Sequence, residues 1–127
     1  MTVTAAWRPR LYISGPMTGY PDSNYPKFRQ AAKAIRAAGW DVIDPSEHFE
    51  GRRDLPRHKF LAADVYDLIT KCRGIVLLEK WYDAEGSLLE AQIAFDQGYC
   101  FYDWLSPAWP ILPADMNEVR EALSFAG

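Results

Sequence analysis

The chain has 127 residues, 14 Lys plus Arg, 17 Asp plus Glu and a formal charge of −3. Hydrophobic residues make up 49%, enough for a core, which excludes wholesale disorder. The acidic balance argues against a nucleic-acid polymer as partner, and no apolar run approaches the ~20 residues that cross a bilayer.

Residues 1–10 lack the long apolar stretch of a secretory signal, so a soluble, cytoplasmic protein is expected. Cys72 and Cys100 each sit against an apolar segment and are expected to be buried thiols, because free Cys packs as a small hydrophobe. They lack zinc or redox spacing. His48 and His58 are ten apart with no third ligand at metal spacing. No metal or cofactor is expected.

In chain order, residues 1–9 are loosely patterned and expected to form an arm. Arg10 to Ser14 reads as a strand, ending in the turn-rich run Ser14-Gly15-Pro16-Met17-Thr18-Gly19. Asn24-Tyr25-Pro26 starts a helix, since Pro is tolerated in the first turn. Phe28, Ala31, Ala32 and Ile35 then recur at helical spacing, and Gly39 is the expected stop. Trp40 to Ile43 is a second short strand, followed by a polar loop over residues 45–56. A helix is expected over Arg57 to Lys71, with Phe60, Leu61, Val65, Leu68 and Ile69 facing inward. The continuous apolar run Ile75-Val76-Leu77-Leu78 marks a strand buried on both faces. A loop follows to Gly86. The next helix is expected over Ser87 to Gln97, with Leu88, Leu89, Ile93 and Ala94 inward. Tyr99 to Tyr102 reads as a fourth strand, Ser106 to Pro113 as a loop, and Ala114 to Phe125 as a last helix.

Strands alternating with helices imply parallel βαβ units. The expected architecture is α/β: one domain over residues 1–127, a doubly wound parallel sheet of four to five strands with helices on both faces, like a flavodoxin or Rossmann sandwich. In such sheets ligands bind beyond the carboxyl ends of the strands. That places a site at the loops Ser14 to Tyr20, Asp44 to His48 and Glu79 to Gly86.

Two features of these loops carry chemistry. Gly15-Pro16-Met17-Thr18-Gly19 lets backbone approach a ligand, or is simply a tight turn; it is neither GxGxxG nor a Walker loop. Ser87-x-x-Glu90 fits a capping box, in which Ser takes a helix amide and Glu reaches back. Alternatively, Glu90 is an ionised carboxylate near a helix start, able to attack an anomeric carbon. A second acid would then protonate the leaving base or hold sugar hydroxyls. Asp64 and Asp67, three apart, can share one helical side, or both are solvated surface acids. Trp81, Tyr20 and Tyr25 offer flat faces for a nucleobase, or pack their own loops. Trp104, Trp109 and Phe125 form an aromatic tail that could cover a partner subunit.

The motifs Tyr12-Ile13-Ser14-Gly15-Pro16-Met17-Thr18-Gly19, Asn24-Tyr25-Pro26, Gly39-Trp40-Asp41-Val42-Ile43-Asp44-Pro45 and Trp81 through Glu90 resemble nucleoside 2-deoxyribosyltransferase-like proteins, over roughly residues 10–103. The resemblance implies cleavage or transfer of the N-glycosidic bond of (deoxy)nucleosides or their 5′-monophosphates, through a retaining glycosyl-enzyme. It implies Glu90 as nucleophile, Tyr12 as its orienting partner, and Asp64, with Asp67 second, as the acid that contacts base or sugar. It implies Gly15, Pro16 and Met17 as lining of the base pocket. Asn24, Tyr25, Trp81, Gly86 and Ser87 complete the expected substrate-binding set, and a homodimer or larger homo-oligomer is implied. The chain departs from the relatives' usual pattern at Glu79-Lys80, Ala84 and Arg73-Gly74. A catalytically silent nucleotide-binding or signalling module is the alternative.

Overall fold

The computed structural model describes residues 8–126. Its elements are β1 (Leu11–Ser14), α1 (Tyr25–Ala37), β2 (Val42–Ile43), α2 (Arg57–Lys71), β3 (Gly74–Leu77), α3 (Glu85–Asp96), β4 (Cys100–Ser106), β5 (Trp109–Pro113) and α4 (Met116–Ala126). The five strands form one sheet in the order β2-β1-β3-β4-β5. β2, β1, β3 and β4 pair in parallel, while β5 pairs antiparallel with β4. Among the described residues, the two-residue β2 and the proline-bearing β5 are the sheet edges. No helix among them is long and apolar enough to cross a membrane.

The expected α/β sandwich is therefore present, with one strand more than its parallel core. The hairpin β4–β5 replaces the expected loop Ser106 to Pro113: Pro110 and Pro113 suggest a loop, yet an edge strand tolerates missing amide donors.

Alternation along the strands sorts the core into two layers. Leu11, Ile13, Val76 and Leu78 point to one face, where they meet Phe28, Ala31, Ala32 and Ile35 of α1 and Trp104 of β4. Tyr12, Ile75 and Leu77 point to the other, against Leu68 of α2, Ala91 and Ala94 of α3, and Val119 and Leu123 of α4. Trp104 is thus a core residue rather than part of an exposed tail, while Trp109 and Phe125 are exposed.

Two close approaches need glycine. A Cβ on Gly74 would lie 2.5 Å from Leu11 Cδ2, and one on Gly15 would lie 2.7 Å from Leu78 Cβ. The first ties the departure at Arg73-Gly74 to packing of β3 against β1.

Several finer expectations are corrected. Cys72 is buried, with its thiol pushed up to about 12 by burial, but Cys100 is exposed at the start of β4. Ile69 and Leu89 are exposed. Phe60 and Leu61, expected in the core, instead line a cavity. The arm expected over residues 1–9 lies largely outside the described residues. Its last two positions are anchored: Pro9 is buried, and Arg8 lies over the Trp40 ring at 4.8 Å.

Candidate functional site

Chain order reverses between β1 and β3, so the loops leaving their carboxyl ends diverge and open a crevice. A cavity of about 720 Å³ lies there. Gly15, Pro16 and Met17 after β1, Tyr25 and Phe28 of α1, Phe60 and Asp64 of α2, and Gly86, Ser87 and Glu90 of α3 line it.

The centre follows from strand and helix periodicity together. Tyr12 and Ser14 are two apart on β1 and share a face. That face looks at the stripe Ser87, Glu90, Ala91 and Ala94, the buried side of α3. Tyr12 Oη donates to Glu90 Oε2 at 2.8 Å and Ser14 Oγ donates to Oε1 at 2.7 Å, so both carboxylate oxygens are held. Ser14 Oγ also lies 2.8 Å from Ser87 Oγ. Because Ser14 spends its proton on Glu90, Ser87 is the donor in that pair. A directed chain therefore runs from Ser87, on the cavity wall, through Ser14 to Glu90.

This arrangement corrects the capping reading. α3 begins at Glu85 with Ala84 as its cap residue, which puts Ser87 inside the first turn, and Glu90 reaches across to β1 instead of back to its own backbone. Burial, then the neighbouring Asp64 charge, pushes the Glu90 carboxyl up to about 8, while the Ser14 and Tyr12 hydrogen bonds pull the other way. Burial beside Glu90 raises Tyr12 well above the phenol range, so it keeps the proton it donates.

Asp64 reaches the cavity and Asp67 does not line it, which separates the two candidates for the second acid. Both bind one imidazole: His48 Nδ1 lies 2.7 Å from Asp64 Oδ1 and Nε2 lies 2.8 Å from Asp67 Oδ2. Asp67 also pairs with Lys71 at 3.0 Å. Burial raises the Asp64 carboxyl, opposed by the His48 hydrogen bond and charge.

The remaining expected residues divide. Asn24 does not line the cavity. Its Nδ2 donates to the Pro16 carbonyl at 2.8 Å, fixing the loop that does. Trp81 stands apart, in a cleft with Tyr82, Asp103 and Phe125, and packs on the α2/α3/α4 side of the core. It is not positioned to stack a ligand in this cavity, whereas Tyr20 and Tyr25 both line it.

The sequence reading placed Ser14 and His48 in the expected site loops without giving either a role, and it missed Arg53 and Arg57. Ser14 was signalled by its two-residue offset from Tyr12. Arg53 and Arg57 line the cavity from the α2 end, in exposed ion pairs with Asp22 at 3.4 Å and Glu85 at 3.8 Å. Such exposed pairs hold weakly, leaving both guanidinium groups open to a competing anion.

A family model described as Domain of unknown function (DUF4406) matches residues 9–102, and the chain belongs to that family. No curated protein matches it.

Proposed function

We propose that this DUF4406 protein cleaves or transfers the N-glycosidic bond of (deoxy)nucleosides or their 5′-monophosphates, with Glu90 as nucleophile. The resemblance to nucleoside 2-deoxyribosyltransferase-like proteins suggests the chemistry. The observation that carries it is the Glu90 carboxylate, fixed through both oxygens by Tyr12 and Ser14 at a cavity it shares with Asp64.

Attack by Glu90 forms an ester to C1′ while the C1′–N electrons leave with the base, which takes a proton from water at the open mouth. Water then resolves the ester in a hydrolase, and a second base does so in a transferase; either retains configuration. Asp64 holds sugar hydroxyls, and its charge favours the oxocarbenium-like transition state. Gly15, Pro16, Met17 and Tyr25 receive the base, and Tyr20 or Tyr25 stacking is worth about 1–3 kcal/mol. Arg53 and Arg57, with the free amides of Gly86 and Ser87 in the first turn of α3, favour an anionic 5′ group. The expected setting is the cytoplasm, and the expected assembly is a homodimer or larger.

The test is incubation with deoxynucleosides and their 5′-monophosphates, scored as free base. Glu90→Gln is expected to abolish release, a loss of at least about 10³-fold, while circular dichroism stays unchanged. Gln fills the same space, accepting from one hydroxyl and donating to the other. Equal rates would remove Glu90 from the mechanism.

One observation favours a second reading. Burial pushes the Glu90 carboxyl up to about 8, which resists ionisation in the free site and weakens it as a nucleophile. A silent nucleotide binder would show ligand-induced thermal stabilisation with no base released at any pH.

A further inference from the structure

We propose that His48 is a positioning residue: a doubly protonated imidazolium, clamped between Asp64 and Asp67, that keeps the Asp64 carboxylate ionised and fixed at the cavity. Its role in turnover rests on the glycosidase reading; its protonation does not.

The geometry leaves little choice of proton placement. Each ring nitrogen lies within 2.8 Å of a different aspartate oxygen. A neutral imidazole has one N–H, and an ionised carboxylate only accepts. A neutral ring would therefore press a nitrogen lone pair against a carboxylate oxygen. Asp67 has a second cationic partner in Lys71 at 3.0 Å, so it faces the ring as an acceptor. The ring nitrogen facing it then needs a proton, and the one facing Asp64 needs another. The half-buried position of the ring and of both aspartates strengthens these charge-assisted bonds. The two aspartate bonds raise the imidazole above its ordinary range, against burial.

The backbone around His48 is built to deliver this contact. His48 sits in the turn Pro45–Gly51, and the next two residues, Phe49 and Glu50, adopt left-handed φ of 54° and 57°. Non-glycine residues hold such angles only against a steric cost. The turn is kept in place by the clamp and by an edge contact of Phe49 with Phe60 of α2. Pro45, at the start of the same turn, lines the cavity. The clamp thus fixes a cavity wall and a cavity carboxylate together.

The charged groups around the ring come from several elements. Asp64, Asp67 and Lys71 belong to α2. Glu47 precedes His48 in the turn and is neutralised by Arg36 of α1 at 2.9 Å. Glu90 of α3 and Tyr12 of β1 lie beyond Asp64. With the imidazolium present, Asp64 and Glu90 share one compensating cation. Without it, Asp64 loses its cationic partner beside Glu90, and its proton affinity rises.

The test is nitrogen-15 NMR of the ring in the full chain, with exposed His58 replaced by Gln so that one histidine remains. Both ring nitrogens are expected to be protonated at pH 7, with the titration midpoint on the alkaline side of it. A neutral tautomer at pH 7 would overturn the proposal without reference to any activity. In His48→Gln, the Asp64 carboxyl carbon should titrate at higher pH than with His48 present. Base release should fall in kcat rather than KM, with the loss largest at low pH and recovering as pH rises. An unmoved Asp64 titration, or an equal loss at every pH, would refute the positioning role. Should the wild type release no base from any nucleotide, the glycosidase reading fails, and the ring and Asp64 titrations still decide the clamp.

Discussion

Burying Glu90 against Tyr12, Ser14 and Asp64 couples the folding of the chain to a single proton. The carboxyl titrates near 4.5 when exposed and at about 8 in the fold. Below 4.5 both states hold the proton and nothing is lost. Between 4.5 and 8 the unfolded chain ionises freely while the folded one resists, so stability falls as pH rises through this window. Glu90→Gln removes that dependence. The variant is expected to gain on the wild type in urea unfolding from pH 4.5 to 8 and to hold a constant advantage above. Parallel stability curves across that range would show Glu90 to be already ionised. At this scale the sequence was partly legible. Glu90 and Asp64 were candidates from their helix positions and Tyr12 from a resemblance, and the structure gathers all three. Ser14 and His48 fall in the loops expected to form the site, but no sequence pattern assigned a role to either one. Ser14 lies inside an apolar strand, and the partner of His48 is a pair of aspartates on a helix that only the fold brings near.

Elements were most legible where one face alone is buried. The stripe Phe28, Ala31, Ala32 and Ile35 gives α1 directly, and α2 spans the expected Arg57–Lys71. α3 was harder. Its buried stripe contains Ser87 and Glu90, so hydropathy points to Leu88 and Leu89, one residue out of phase. That mismatch is itself a functional signal: a helix that buries a Ser and a Glu in place of leucines is giving up apolar burial to set a site. The loop after β1 shows the same economy. Gly15 leaves β1 where Leu78 crosses beneath it, and Gly15→Ala would set a new Cβ 2.7 Å from Leu78 Cβ, an atom that cannot swing aside. Overpacking of this kind costs about 1–3 kcal/mol. A lowered midpoint with unchanged m-value in denaturant unfolding is expected; an unchanged midpoint would mean that the loop yields freely.

At the scale of the whole molecule, charge is distributed against the net balance. The chain is acidic overall at −3, yet Arg53 and Arg57 line the same cavity as Asp64 and Glu90. A small anion can therefore be drawn to one wall while its neutral end reaches the acidic centre. The double variant Arg53→Ala/Arg57→Ala is expected to raise KM for a 5′-monophosphate at least about tenfold, the effect of losing one charge-assisted hydrogen bond of about 1.5 kcal/mol. KM for the unphosphorylated nucleoside should barely move. Equal effects on both substrates would place the arginines outside recognition.

The borders of the sheet have a further consequence. One border is a strand of two residues, and the other carries Pro110 and Pro113, each without an amide hydrogen. Neither offers the continuous ladder that a foreign strand needs to dock. Runaway β-stacking into fibrils is thereby discouraged, even though Trp109 and Leu112 lie exposed on that strand.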